Sequence, residues 1–198
     1  IQQIESFKNT FLYFFSFQGL ILYLVTLVFV KSLHELGHAF VSKYFGCRVS
    51  SIGIAFLVFF PFLYTDTSDA WRLRDHKDRL LINFAGILTE LHLALISTFL
   101  WAILPDGGLK SVAFFIATTS WISSLAINVS PFMRFDGYYV FSDWLKAENL
   151  QPRSFALARW QLREILFGFN HPPPEDLNPT RRWTFISYAW LTWVYRFF

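Results

Sequence analysis

From Phe11 to Val30 the chain carries no charged side chain, and this apolar run leads directly into His34-Glu35-Leu36-Gly37-His38. About 20 residues of helix span the hydrocarbon core of a bilayer. Helical character can continue past His38 to about Phe45, where Gly46 supplies a stop. Residues four apart on a helix share a face. His34 and His38 can therefore grip one metal ion, with Glu35 placed to work on a metal-bound water. An uncompensated Glu and two His are expensive in a spanning helix. The pattern predicts hydrolytic metal chemistry inside a membrane or at its edge.

Composition agrees with a membrane chain. Of the 198 residues, 54% are hydrophobic and only 16% charged, against about 45–50% and about 25% in soluble domains. The 25 Phe suit a lipid-facing surface, because Phe leaves no polar group unpaired. The net charge of +3 is small and its bases flank apolar segments. They read as topology signals, and nucleic acid is not expected as a partner. Cys47 is the single cysteine, which rules out an internal disulfide and a cysteine zinc cluster. It reads as a small residue filling space near a helix end. No cleavable signal peptide is evident. The missing initiator Met and the apolar run at Phe198 predict a piece of a longer polytopic protein.

The first span falls within residues 10–46, either as one long tilted helix or as a helix broken near Gln18-Gly19; the break is the expectation. Residues 49–64 are apolar but short, with Gly53 and Pro61, and fit a β-hairpin or re-entrant element better than a span. Residues 80–104 form a second span, Pro105-Asp106-Gly107-Gly108 a tight turn, and residues 112–129 a third span. Pro172-Pro173-Pro174 make a stiff connection, and residues 183–198 look like the start of a fourth span. The expected fold is a single membrane-embedded core. It is an all-α polytopic protein of three to four transmembrane helices with a small membrane-associated β element.

Basic residues predict orientation. Lys43, Arg48, Arg72, Arg74, Lys77 and Arg79 lie between the first two spans, only Lys110 in the next connection, and Arg134, Lys146, Arg153, Arg159 and Arg163 after the third. By the positive-inside rule the first and third connections are cytoplasmic, which puts His38 near the cytoplasmic end of its span. A catalytic zinc usually takes three protein ligands and leaves one position open. The candidates for the third are His76, His92, His171, Asp66, Asp69, Glu90 and Asp136. Asp136 is the best placed. It follows the third span on the same side as His38, between Pro131, which breaks a helix, and Gly137, which permits a sharp turn. Glu90 and His92 lie inside a predicted span and each needs a partner. Glu90 reads as a group behind the ligands or a rival third ligand, and His92 as a packing or interfacial residue. Asp66 and Asp69 read as loop caps at the membrane surface.

The HExxH in a membrane helix, followed by Asn128-Val129-Ser130-Pro131-Phe132-Met133-Arg134-Phe135-Asp136-Gly137, resembles the site-2 protease family of intramembrane zinc metalloproteases. The resemblance covers about residues 20–145, and residues 47–79 are too few for that family's frequent PDZ insertion. The Phe135-Asp136-Gly137-Tyr138-Tyr139 ending is closer to the bacterial peptide zinc metalloproteases than to the branches acting on transcription factors. The resemblance implies one Zn2+ held by His34, His38 and Asp136, with Glu35 as general base and Asn128 holding the substrate or its oxyanion. It implies a membrane-inserted or membrane-associated peptide as substrate, a β element over 50–64 that pairs with it, and residence in a bacterial inner membrane. A further membrane partner is compatible with it. Two rivals stand beside it. A diiron membrane oxygenase fits poorly, because such families are richer in histidine than this chain with its five. A non-proteolytic metal-binding subunit of an exporter fits the topology, but the intact Glu35 argues against it.

Overall fold

The computed structural model describes residues 15–57 and 60–198. Helix α1 runs from Phe17 to Tyr44 and is capped by the Ser16 side chain, which accepts from the Gly19 N–H at 3.0 Å. The helix thus starts close to the break expected near Gln18-Gly19, with both residues in its first turn; residues 10–14 of the predicted segment fall outside the described residues. At the other end Gly46 adopts φ +74°. Its N–H reaches the Lys43 carbonyl and the Cys47 N–H that of Ser42. This is a Schellman stop, which favours glycine at that position. Cys47 is buried beside Ala70 and Ile82, filling space as expected.

Strands β1 (Ile52–Leu57) and β2 (Phe60–Thr65) pair antiparallel, Ile52 opposite Thr65 and Leu57 opposite Phe60. The β element is thus a hairpin. β2 packs on α1, and the Thr65 hydroxyl donates to the Glu35 carbonyl at 3.0 Å. A 3-10 turn over Ser68–Arg72 leads to α2 (His76–Ile103), capped by Asp75. The chain turns back at Gly107 into α3 (Gly108–Trp121), which continues as a π-helix over Ile122–Asn128. Then follow α4 (Asp136–Trp144), α5 (Leu150–Phe167) and α6 (Pro179–Phe197).

Three helices among the described residues are long and apolar enough to cross a membrane: α1, α2, and α3 with its π extension. α6, which covers the expected fourth span, is not among them; it carries Arg181, Arg182 and Arg196. The packing of the three spans is inverted relative to a soluble bundle. The buried stripe of α1 is Gly19, Thr26, Val30, His34, His38 and Ser42, while Leu24, Val25, Val28, Phe29 and Phe40 point outward. Lipid replaces water outside, so close approach and polar contacts inside, rather than apolar burial, must hold the helices. Beyond the spans, Leu150, Leu157, Phe185 and Ile186 bury an ordinary apolar core between α5 and α6.

The α1–α2 contact is close at Gly37, where an added Cβ would overlap the Thr89 hydroxyl and stand 3.1 Å from the Ala85 carbonyl. A larger side chain there must push the two helices apart. Gly37→Val should lower the thermal midpoint of the purified protein in detergent, by the equivalent of about 1–3 kcal/mol for an overpacked interface. An unchanged midpoint would mean that the helices are not held at this separation.

Candidate metal centre

Two stripes, each of four-residue spacing, face each other across the α1–α2 contact. α1 presents His34 and His38, both buried. α2 presents Ile82, Gly86 and Glu90, also buried. Each member of the second stripe acts on the first. The His38 Nδ1–H donates to the Ile82 carbonyl at 2.8 Å, and the His34 Nδ1 lies 3.0 Å from Glu90 Oε1. With both Nδ1 atoms engaged behind the rings, both Nε2 atoms face the space between the helices and Asp136. Between them stands Gly86, where a Cβ would overlap Nε2 of both rings.

Asp136 closes this space from the start of α4. Pro131 follows the end of the π-helix, as its ring requires, and the chain returns through Phe135 so that α4 begins at Asp136 itself. Gly137 serves differently from expectation: its backbone is ordinary helix, but a Cβ would collide with the carbonyls of Asn128 and Val129. Close approach, not a sharp turn, requires glycine. Asp136 Oδ2 lies 2.8 Å from His34 Nε2 and 3.4 Å from His38 Nε2, and the two Nε2 atoms are 3.2 Å apart.

Three such atoms converging this closely can share protons or hold a cation among them. Metal–ligand bonds of about 2.0–2.1 Å in a tetrahedral site separate the ligands by roughly 3.3 Å, close to the distances found. The donor set, two imidazoles and a carboxylate, matches zinc, and the gap kept by Gly86 leaves room for it. His34, His38 and Asp136 form the one group of this kind among the described residues.

Behind His34 lies a second polar cluster drawn from all three spans. Besides His34, Glu90 accepts from Lys31 Nζ at 2.8 Å, Ser123 Oγ at 3.2 Å and Asn128 Nδ2 at 3.0 Å. Its place is therefore on the far side of the imidazole, outside the His34–His38–Asp136 group. Asn128 comes together with the metal centre as expected, but its amide is engaged with Glu90. The remaining candidates lie elsewhere. His92 is exposed and bonds within its own helix, His171 is exposed, and His76 starts α2. Asp66 and Asp69 are loop caps, accepting from the Ser68 and Arg48 N–H groups; the Ser68 hydroxyl and N–H lower the Asp66 carboxyl, and the Arg48 N–H lowers that of Asp69.

Two cavities flank the centre, and Glu35 and Asp136 line both. One, of about 340 Å³, is polar and includes Thr65, Asp66, Arg79, Asn83 and Asp143. Burial pushes the Asp143 carboxyl up there, against the pull of Arg79. The other, of about 330 Å³, is walled mostly by apolar residues of the spans and of β2, among them Leu27, Pro61, Leu63 and Ile122. Lys31, Ser123 and Gly86 escaped the sequence reading. A lysine at the end of an apolar run, one span away from an unpartnered Glu90, was the available signal for Lys31; nothing in the sequence marks Gly86.

A spanning bundle with a two-histidine, one-carboxylate centre at one end defines the class: a membrane metalloprotease architecture. The family model of peptidase family M50 matches residues 20–120, and the chain belongs to that family. The match includes the HExxH and most of the spanning core; Asn128 and Asp136 lie beyond it and are tied to the centre by geometry. No curated protein and no solved structure matches the chain.

Purified protein should carry about one zinc per chain, lost in His34→Ala and Asp136→Ala, as measured by elemental analysis. Gly86→Ala should lose the metal as well, since the added methyl occupies the gap. Zinc retained in Asp136→Ala would move the third ligand elsewhere.

Proposed function

We propose that the protein is a zinc-dependent intramembrane endopeptidase that hydrolyses a peptide bond in a membrane-inserted or membrane-associated peptide. The observation that carries this reading is the position of Glu35 and the His34–His38–Asp136 cluster between an apolar cavity and a polar one. An apolar chamber walled by spanning helices suits a peptide arriving from the bilayer, and a polar chamber supplies water.

Zinc bound by His34, His38 and Asp136 would lower the pKa of a water toward about 7 and polarise a scissile carbonyl. Glu35 lines both chambers, so its carboxylate takes the proton from the attacking water and can pass it to the leaving nitrogen. Asn128 lines the apolar chamber. Its amide donates to Glu90 and lies 3.5 Å from His34 Nδ1; turned toward a developing oxyanion, such a donor is worth about 3–4 kcal/mol in other hydrolases. A helical substrate hides its carbonyls in its own hydrogen bonds. It must unwind to be cut, and pairing with the hairpin would compensate the freed backbone. The basic residues of the first and third connections favour a cytoplasmic site in a bacterial inner membrane.

The accessory-subunit reading and this one separate at Glu35. Glu35→Gln should keep its zinc and lose at least about 100-fold in cleavage of a membrane-reconstituted peptide library. Cleavage at the wild-type rate would overturn the assignment of Glu35 as base.

A further inference from the structure

Glu90 is completely buried in the middle of α2 and holds four partners from two other spanning segments: Lys31 and His34 of α1, Ser123 and Asn128 of the π-helix. A counter-ion for Lys31 would need one of these contacts. The other three are with residues that line or form the metal centre. The carboxylate is split between these tasks. Oε1 meets Lys31, His34 Nδ1 and Ser123, and Oε2 meets the Asn128 amide.

The geometry points to Glu90 as a positioning residue of the metal centre, one that fixes the His34 ring with Nε2 bare and holds the Asn128 amide in register with it, Lys31 serving as its counter-ion. This assignment rests on the reading of His34 as a zinc ligand. A carboxylate on the distal nitrogen of a ligating histidine sets its tautomer and raises its basicity. Here the carboxylate also reaches the next span, so that the position of His34 and the position of Asn128 are set by one group. Lys31 reaches Glu90 from one helical turn before His34. It neutralises the carboxylate in a place where an unpaired charge is costly.

The bland alternative is that Glu90 exists only to neutralise Lys31 and join helices. Measuring zinc affinity and fold separately distinguishes the two. The full chain in detergent is compared as wild type, Glu90→Gln, Lys31→Met and the double variant Lys31→Met/Glu90→Gln. The last removes both charges, so that no unpaired ion is left to unfold the bundle. Zinc dissociation constants come from competition with a chromophoric chelator, and fold from the thermal midpoint of the metal-free protein. The double variant should keep the metal-free midpoint and bind zinc 10–100-fold more weakly, the usual effect of losing such a partner. Lys31→Met alone should bind zinc at close to wild-type affinity, because Glu90 still holds His34. Wild-type affinity in the double variant would overturn the proposal and leave Glu90 a counter-ion. Wild-type protein that binds no zinc, or His34→Ala with unchanged affinity, is a different result and would overturn the metal reading beneath it.

Discussion

Charge matching among groups withdrawn from water is the constraint on which the rest of this structure depends. Buried ions are tolerated only when paired and hydrogen-bonded, and here Lys31 pairs with Glu90, Glu90 meets His34, and His34 and His38 meet Asp136, with Glu35 lining the same cavity. A dication in the centre, together with Lys31, offsets the carboxylates of Glu35, Glu90 and Asp136. Without one, three electron-rich atoms face each other and must recruit protons instead. The metal would thus be part of what lets this bundle exist as packed, as well as a source of chemistry.

Helix α2 contributes none of the three clustered side chains, yet it touches the cluster at three successive turns. Its carbonyl at Ile82, its bare backbone at Gly86 and its carboxylate at Glu90 act on α1 at successive turns. Such a division of labour suits a helical bundle. Ligands at i and i+4 can share a metal only if a facing helix orients the rings and stays out of the space between them. A glycine at the middle of that facing stripe does both.

Much of this was legible in the sequence because membranes simplify it. Three spans, the Gly46 stop, the hairpin and the pairing of His34 and His38 follow from apolar length, turn residues and helical period. Asp136 could be favoured by topology, since bases placed it on the side of His38. What was hidden has a common cause. Contacts between spans, such as Lys31 with Glu90 or Gly86 with both rings, depend on how each helix is rotated about its axis. When lipid surrounds the bundle, apolar residues cover most of the outside, and periodicity marks the inward face only faintly. The start of α1 was legible only to within a few residues: Gln18-Gly19 marked the place, but the cap itself is the Ser16 hydroxyl just before them. Gly137 was chosen correctly and explained wrongly, because a collision with the carbonyls of a preceding segment cannot be read from neighbours in sequence.

The π-helix at Ile122–Asn128 has a consequence for how the third span can vary. α3 enters as a regular helix whose inner face is set by packing, with Phe114, Phe115 and Thr119 buried. It leaves with a wider winding that brings Ser123 and Asn128 onto Glu90. The segment works as a phase shifter between a structural part and a chemical part of one helix. In an ordinary α-helix each residue advances the winding by about 100°, so the same sequence wound regularly would carry Asn128 off its present direction. The span therefore tolerates substitutions on its lipid face far better than any change in the number of residues between Trp121 and Asn128. Its length is a chemical parameter of the site, held as firmly as the identity of a ligand.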